Sequence, residues 1–359
     1  MSLIFFDGFD QYNNFQDAVI KGGWSNWNSG AGGAGGYITN TVRVGTGAAI
    51  ILDHASPYGG GADAAFLSYQ TPTNEYGNTI YCGFALNLPY GASTYDFFRI
   101  NAVGLGAAAQ LRMHVFFITT TTYQLQLYRG ATLLATGSSV LHVNSWRYVE
   151  FKVLIDPTSG VCECKIDSVV DFSFSGNTCD TGAHEVGGIV FVGNGGFFTG
   201  AQIDDFYLCN SLGTFNNTYL GEQRAEIMTP NADNTVAWVR NTGASNFSAV
   251  ADPIGLPDEN TTYVSSSTLN AKDEYDLTNI TGITNVAGVK LVTRAERDNI
   301  SPRTFKHGIK SGSIEQQVVH NLGIDYVNYI DIFETSDGGT TAFTPTTTNS
   351  LISTIEVSN

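Results

Sequence analysis

Four aspartates are the first residues whose spacing suggests chemistry. Asp7 and Asp10 end the run LIFFDGFD (3–10), and Asp204 and Asp205 sit inside AQIDDFYL (201–208). Hard cations take clusters of carboxylate and carbonyl oxygens, so calcium is one reading of this set. The other is that these acids terminate strands and accept backbone hydrogen bonds in turns. The second is preferred, because no loop carries the alternating Asp/Asn spacing of a calcium motif; no cofactor is expected, with calcium the one candidate ion.

Catalytic signatures are absent. Glycoside hydrolysis needs two carboxylates flanking one linkage, yet Glu150 is followed two positions on by Lys152, Glu163 by Lys165 and Glu185 by Gly187. His54, His114, His142, His184, His307 and His320 are scattered without metal-ligand spacing and read as surface or capping residues. No GxSxG elbow is present. No catalytic residue is expected, and the chain is read as a non-enzyme.

Two sets could bind rather than react. Sugar rings stack on exposed aromatics, and Trp24, Trp27, Tyr58 and Tyr90 fall on predicted loops; for the two tryptophans, packing over an open end of a sandwich is the preferred alternative. Lys290, Arg294, Arg297, Arg303, Lys306 and Lys310 form one basic island, opposed locally by Glu296 and Asp298. It could face an acidic patch on a partner or be a solvated strand face balancing nearby acids.

The elements that must position these residues are strands. The chain has 40 Gly, 17 Tyr and 22 Phe with 14% charged residues, a composition of strands and turns. From Tyr37 to Leu154 short aromatic and β-branched runs recur between turn clusters, several alternating apolar with polar as in Gln124 and Gln126 against Leu125 and Leu127. LIFFDGFD and AQIDDFYL read as the two terminal strands of one sandwich. The GAGGAGGY run (30–37) reads as a loop. The second half offers further strand-like runs, ending in LISTIEVS.

The net charge is −16, with 8 basic against 16 acidic residues in 1–215 and 9 against 17 in 216–359, giving −8 in each half. Such a surface argues against nucleic-acid binding. The five cysteines, Cys82, Cys162, Cys164, Cys179 and Cys209, lack paired CxxC spacing and read as reduced thiols filling small positions. No apolar run reaches membrane-spanning length and no leader pattern opens the chain, so assembly in a cytoplasm is expected.

Residues 143–176 carry a resemblance. Trp146 opens a strand in which Val149, Phe151 and Val153 alternate with polar positions, and a turn at Asp156–Gly160 returns it into VCECKID. Asn144, Ser145 and Trp146, followed by Lys165, Ile166 and Asp167, resemble the laminin-G and concanavalin-like jelly rolls, with Ser168 where that family usually has glycine. The order of IDDFYL, YLGEQRAEIMTPNADNTVAWV, DPIGLPDENTTYVSSST and YIDIFETSDGGTTAF resembles virion proteins of tailed bacteriophages. These resemblances imply an all-β chain: a concanavalin-like jelly roll over 1–212, an extended linker over 213–265 and a smaller C-terminal β-sandwich over 266–359. They imply a non-enzymatic virion protein, in a tail fibre or appendage or as capsid decoration. Its partners would be neighbouring virion subunits and host surface glycans, in a symmetric or homo-oligomeric array without nucleic acid or membrane insertion. A polysaccharide-degrading lyase or hydrolase is the alternative from another class.

Overall fold

The computed structural model describes the chain except residues 29–35, 40–41, 44–48, 53–65, 71–75, 90–93, 104–107, 181, 183, 194–199 and 253–255. It divides into two compact units, Met1–Ala225 and Glu226–Asn359. Both are built almost wholly of antiparallel strands, as the composition predicts.

The strands of the first unit are, in chain order, β1 (Leu3–Asp7), β2 (Asn26–Asn28), β3 (Gly36–Thr39), β4 (Ala49–Leu52), β5 (Phe66–Gln70), β6 (Thr79–Asn87), β7 (Tyr95–Asn101) and β8 (Ala109–Phe117). They continue as β9 (Thr122–Arg129), β10 (Thr132–Thr136), β11 (Leu141–His142), β12 (Arg147–Leu154), β13 (Gly160–Ile166), β14 (Val169–Gly176), β15 (Gly188–Val192) and β16 (Ala201–Asn210). One sheet runs β14-β13-β12-β6-β16-β4-β3 with β1 added on β16. The other runs β10-β9-β8-β7-β15-β5-β2 with β11 on β9. The first and last strands pair as the sequence suggests, with Phe6 opposite Tyr207 and Asp7 opposite Phe206.

The two sheets bury one apolar layer between them. Phe84, Phe98, Phe151 and Phe191 meet there in stacked, tilted and edge-on contacts with centroids 5.0–6.1 Å apart. All five cysteines are free and buried, and Cys82, Cys162 and Cys164 face this layer. The hairpin joining β13 to β14 turns on Asp167 and Ser168 at φ 50° and 68°, a pair of left-handed residues that suits the twist of the strands. Asp167 meets the cost of that conformation by accepting from the Tyr148 N–H at 2.9 Å and from Arg147 Nη1 at 2.9 Å.

The outer faces of the two sheets have different fates. Residues 213–225, which the sequence assigns to a linker, belong to the first unit and lie across the β12-β6-β16 sheet. Tyr219 donates to the Glu163 carbonyl at 3.1 Å, the Lys165 ammonium sits 3.8 Å over its ring, and the Gly221 N–H donates to Glu150 at 2.9 Å. The β8-β9 sheet receives no such cover from this segment.

In the second unit β17 (Pro230–Thr235), β18 (Val239–Arg240), β19 (Val264–Ser265), β20 (Lys272–Leu277), β21 (Val289–Ala295), β22 (Thr304–Ser311), β23 (Ile314–Asn321), β24 (Val327–Phe333) and β25 (Leu351–Val357) follow. A five-stranded sheet runs β17-β20-β25-β22-β23, and β21 pairs with β24 as a separate ribbon. Ile309, Phe333, Phe343 and Leu351 form the core between sheet and ribbon. β17 lies inside the stretch read as linker and is a strand because it pairs with β20.

Candidate active site

The period-two pattern of β8 decides which side chains reach the outer face. Leu111, Met113 and Val115 are fully buried in the core, so Arg112, His114 and Phe116 must point outward. On β9 the same logic buries Tyr123, Leu125 and Leu127 and turns Gln124, Gln126 and Tyr128 out; on β7 Phe98 and Ile100 face in and Arg99 out.

Register then gathers these residues. Arg99 lies opposite Arg112, and Arg112 opposite Tyr128, in one row across three strands. Asp96 lies opposite His114, and His114 opposite Gln126, in the neighbouring row. Directly opposed Cβ atoms lie about 5 Å apart, so each row of three spans about 10 Å across the sheet.

His114 stacks on Tyr128, with ring centroids 4.2 Å apart and planes at 25°. The Tyr128 hydroxyl donates to Gln126 Oε1 at 3.1 Å, and Gln126 Nε2 donates to Thr136 Oγ1 at 3.4 Å. Asp96 pairs with Arg99 through Nε. His114 Nε2 and Arg112 Nε are buried with no hydrogen-bond partner among the described residues. An unfilled buried polar atom is costly.

Burial lowers the His114 pKa below its ordinary value of 6.5; Arg112 and Arg99 push the same way and Asp96 opposes them. The imidazole is therefore neutral at neutral pH and able to take a proton.

The aspartates singled out in the sequence occupy other environments. Asp7 is buried beneath the sandwich edge and accepts from the Phe9 N–H at 3.0 Å, Gln11 Nε2, the Tyr12 hydroxyl and Trp24 Nε1 at 2.7 Å. Its oxygens are occupied by donors, which leaves none for an ion. Asp10 is exposed at the surface. Asp204 and Asp205 are buried beside Arg43: the Arg43 N–H donates to Asp204 at 3.3 Å and its Nε lies 3.3 Å from Asp205. Asp204 is pushed up to about 7 by burial and the adjacent Asp205 charge. A calcium ion would hold both carboxylates ionised, whereas this arrangement supplies one guanidinium and one raised acid.

The sugar-stacking candidates separate in the same way. Trp24 is in the core, 2% exposed, edge-on to Phe5 and against Phe191 and Phe206, so it has no free face for a sugar. Trp27 packs on the core and meets Phe15 edge-on at 5.9 Å. Tyr58 and Tyr90 lie outside the described residues. The basic island is substantially neutralised within its own unit: Arg294 pairs with Glu259 at 2.6 Å, Lys306 with Glu356 at 2.7 Å and Lys310 with Glu274 at 3.0 Å. Arg297 Nη1 donates to the Ser301 carbonyl at 3.2 Å, and Lys290 is also engaged. For Arg294, Lys306 and Lys310 these pairs fit the alternative reading, a strand face that balances nearby acids.

The sequence does not single out Arg99, Arg112 or Tyr128; His114 reads there as a surface or capping residue and Gln126 only as a polar strand position. Their signal was the polar half of the alternation in AQLRMHVFF and YQLQLYR, whose apolar half had identified the strands. In the second unit His307 and His320 likewise converge on Asp331, although nothing in their spacing indicates it.

No family model and no curated protein matches the chain. Solved structures similar to it include the alginate lyase Aly36B with an alginate tetrasaccharide, at 12% identity, covering 57% of this chain and 96% of that one with a TM-score of 0.43. The endo-β-1,4-glucuronan lyase of the fungus Trichoderma reesei matches at 12% identity over 52% and 91% of the two chains, TM-score 0.39. The carbohydrate recognition domain of Emp46p matches at 11% identity over 58% and 95%, TM-score 0.35. The expectation of a non-enzymatic virion component is corrected here: the similar structures include polysaccharide lyases and a carbohydrate recognition domain.

Proposed function

We propose that the first unit binds a uronate-bearing polysaccharide across the outer face of the β7-β8-β9 sheet and cleaves it by β-elimination. The observation that carries this reading is the stacked His114–Tyr128 pair beside the Arg99–Arg112 row. Elimination needs a neutralised carboxylate, a base for the proton beside it, and an acid for the leaving oxygen. Arg112 takes the uronate carboxylate through paired N–H donors, drawing charge from the carbon beside it. Neutral His114 accepts the C5 proton, the C4–O bond breaks as C4=C5 forms, and the Tyr128 hydroxyl gives its proton to the departing glycosidic oxygen.

The proton then on His114 returns to the Tyr128 oxygen within the stacked pair, restoring both groups without a co-reactant. Gln126 holds the Tyr128 hydroxyl in place before substrate arrives. Arg99, held by Asp96, lies next in the row and would meet a neighbouring carboxylate. The overall charge of −16 repels polyanions in general, which makes this local guanidinium pair the point of recognition.

The test is incubation of the purified protein with polymers of mannuronate, guluronate, glucuronate and galacturonate, following ultraviolet absorbance of the new C4=C5 bond together with reducing ends. Equal rises in both are expected for at least one polymer. Reducing ends without double bonds would mean hydrolysis, and binding without either product would mean a lectin; each overturns the reading.

A further inference from the structure

We propose that His307, His320 and Asp331 in the second unit form a binding site for a divalent transition-metal ion, with zinc the best chemical fit. His307 comes from β22, His320 from β23 and Asp331 from β24, so the site joins the five-stranded sheet to the β21-β24 ribbon. His307 Nε2 lies 2.5 Å and His320 Nε2 2.6 Å from the same Asp331 Oδ2, and the two nitrogens are 3.2 Å apart. Three atoms with lone pairs thus converge on one point.

The separations match a first coordination sphere. Zinc binds imidazole nitrogen and carboxylate oxygen at about 2.0–2.2 Å, which sets tetrahedral donors about 3.3 Å apart. The two nitrogens already have that spacing, and Asp331 needs to retreat by less than about 1 Å to reach it. Two imidazoles and one carboxylate suit the borderline ions zinc, cobalt and nickel better than calcium or magnesium, which prefer all-oxygen sites.

The surroundings orient the ligands. His307 Nδ1 faces Thr293 Oγ1 on β21 at 2.8 Å, the outer-sphere contact that fixes which ring nitrogen meets an ion. Phe305 and Tyr329 wall the imidazoles, with Tyr329 5.1 Å from His320 and Phe305 5.7 Å from His307 between centroids. The His307 side chain is fully buried, while those of His320 and Asp331 are each 22% exposed, which leaves an entry path. Three protein ligands leave a fourth position for water. The competing account is a His–Asp–His hydrogen-bond triad that needs no ion.

The full chain, stripped with chelator and dialysed, is titrated with zinc by calorimetry and with cobalt by visible absorption, and its melting temperature is followed with and without zinc. One ion per chain, cobalt bands of a nitrogen- and oxygen-bound ion, and a higher melting temperature with zinc are expected, because an ion held only by the native state stabilises it. His320→Gln and Asp331→Asn, both at partly exposed positions, should abolish the cobalt bands and the melting shift. Thr293→Val should weaken affinity about tenfold while keeping the stoichiometry. Failure of the wild type to bind either ion, or identical binding by both ligand variants, would overturn the site. Wild-type cobalt spectra without imidazole coordination would do the same, whether or not a variant folds.

Discussion

His114 on β8 and Tyr128 on β9 lie face to face 4.2 Å apart, while their Cα positions belong to different cross-strand rows. The contact is a diagonal one across an antiparallel pair, the kind that long side chains on one face of a sheet make. It couples a proton acceptor whose pKa is lowered to a hydroxyl donor, with Arg112 directly opposite Tyr128.

Removing either member should cost turnover far more than binding. His114→Gln and Tyr128→Phe are each expected to lower kcat by about 100- to 10,000-fold, the usual range for loss of a general acid or base, with KM changed only a few-fold. Initial rates of ultraviolet absorbance against polymer concentration separate the two constants. A KM effect alone would reassign the pair to binding.

The acid limb of the rate profile should report His114. Its pKa is lowered from 6.5 by burial first and by the two arginines second, so the basic form persists to lower pH than in a free histidine. Activity should therefore rise as pH increases and reach its plateau below about pH 7. Arg112→Lys keeps a positive charge but loses the two-point grip on a carboxylate; a drop in kcat/KM of about tenfold or more is expected from steady-state rates.

The Asp7 carboxylate is a structural keystone. Asp7→Ala leaves Trp24 Nε1, the Tyr12 hydroxyl and the Phe9 N–H without their acceptor in the core. Several buried donors losing one charged partner should cost roughly 3–5 kcal/mol. Urea denaturation followed by Trp24 fluorescence measures this, and a loss below 1 kcal/mol would remove Asp7 from that role.

Asp204 makes stability depend on pH with an unusual sign. Its folded pKa is raised from 3.8 to about 7, so the folded state holds a proton that the unfolded chain has released. The wild type therefore loses stability as pH rises from about 4 to about 7 and is level beyond. Asp204→Asn is expected to be more stable than the wild type by about 1–2 kcal/mol at pH 8, after discounting the weakened Arg43 contact, and to lose that advantage at pH 4. Denaturation at the two pH values decides the sign.

Much of the fold is legible in the chain because strand alternation and turn chemistry are local. Leu125 and Leu127 mark the buried side of β9 from sequence alone, and Asp156–Gly160 marks a turn. The second unit was legible in the same way, and β17 was missed because PNADNT lacks the apolar alternation and becomes a strand only by pairing with β20. Trp24 packs, as its preferred reading has it, and goes further into the core than an open end: its Nε1 finds a buried partner in Asp7, and that partner permits full burial.

The sequence by itself determined that this protein is all-β, that the first and last strands of its first unit belong together, and which residues of its alternating strands face inward. These follow from a period of two, which any short window displays. Tertiary structure decided which sheet residues 213–225 return over. It also decided the sites. Arg99, Arg112 and Tyr128 meet through strand register, and His307, His320 and Asp331 meet through the packing of a ribbon on a sheet. Register and packing are set by contacts between distant segments, so neither leaves a spacing that can be read along the chain.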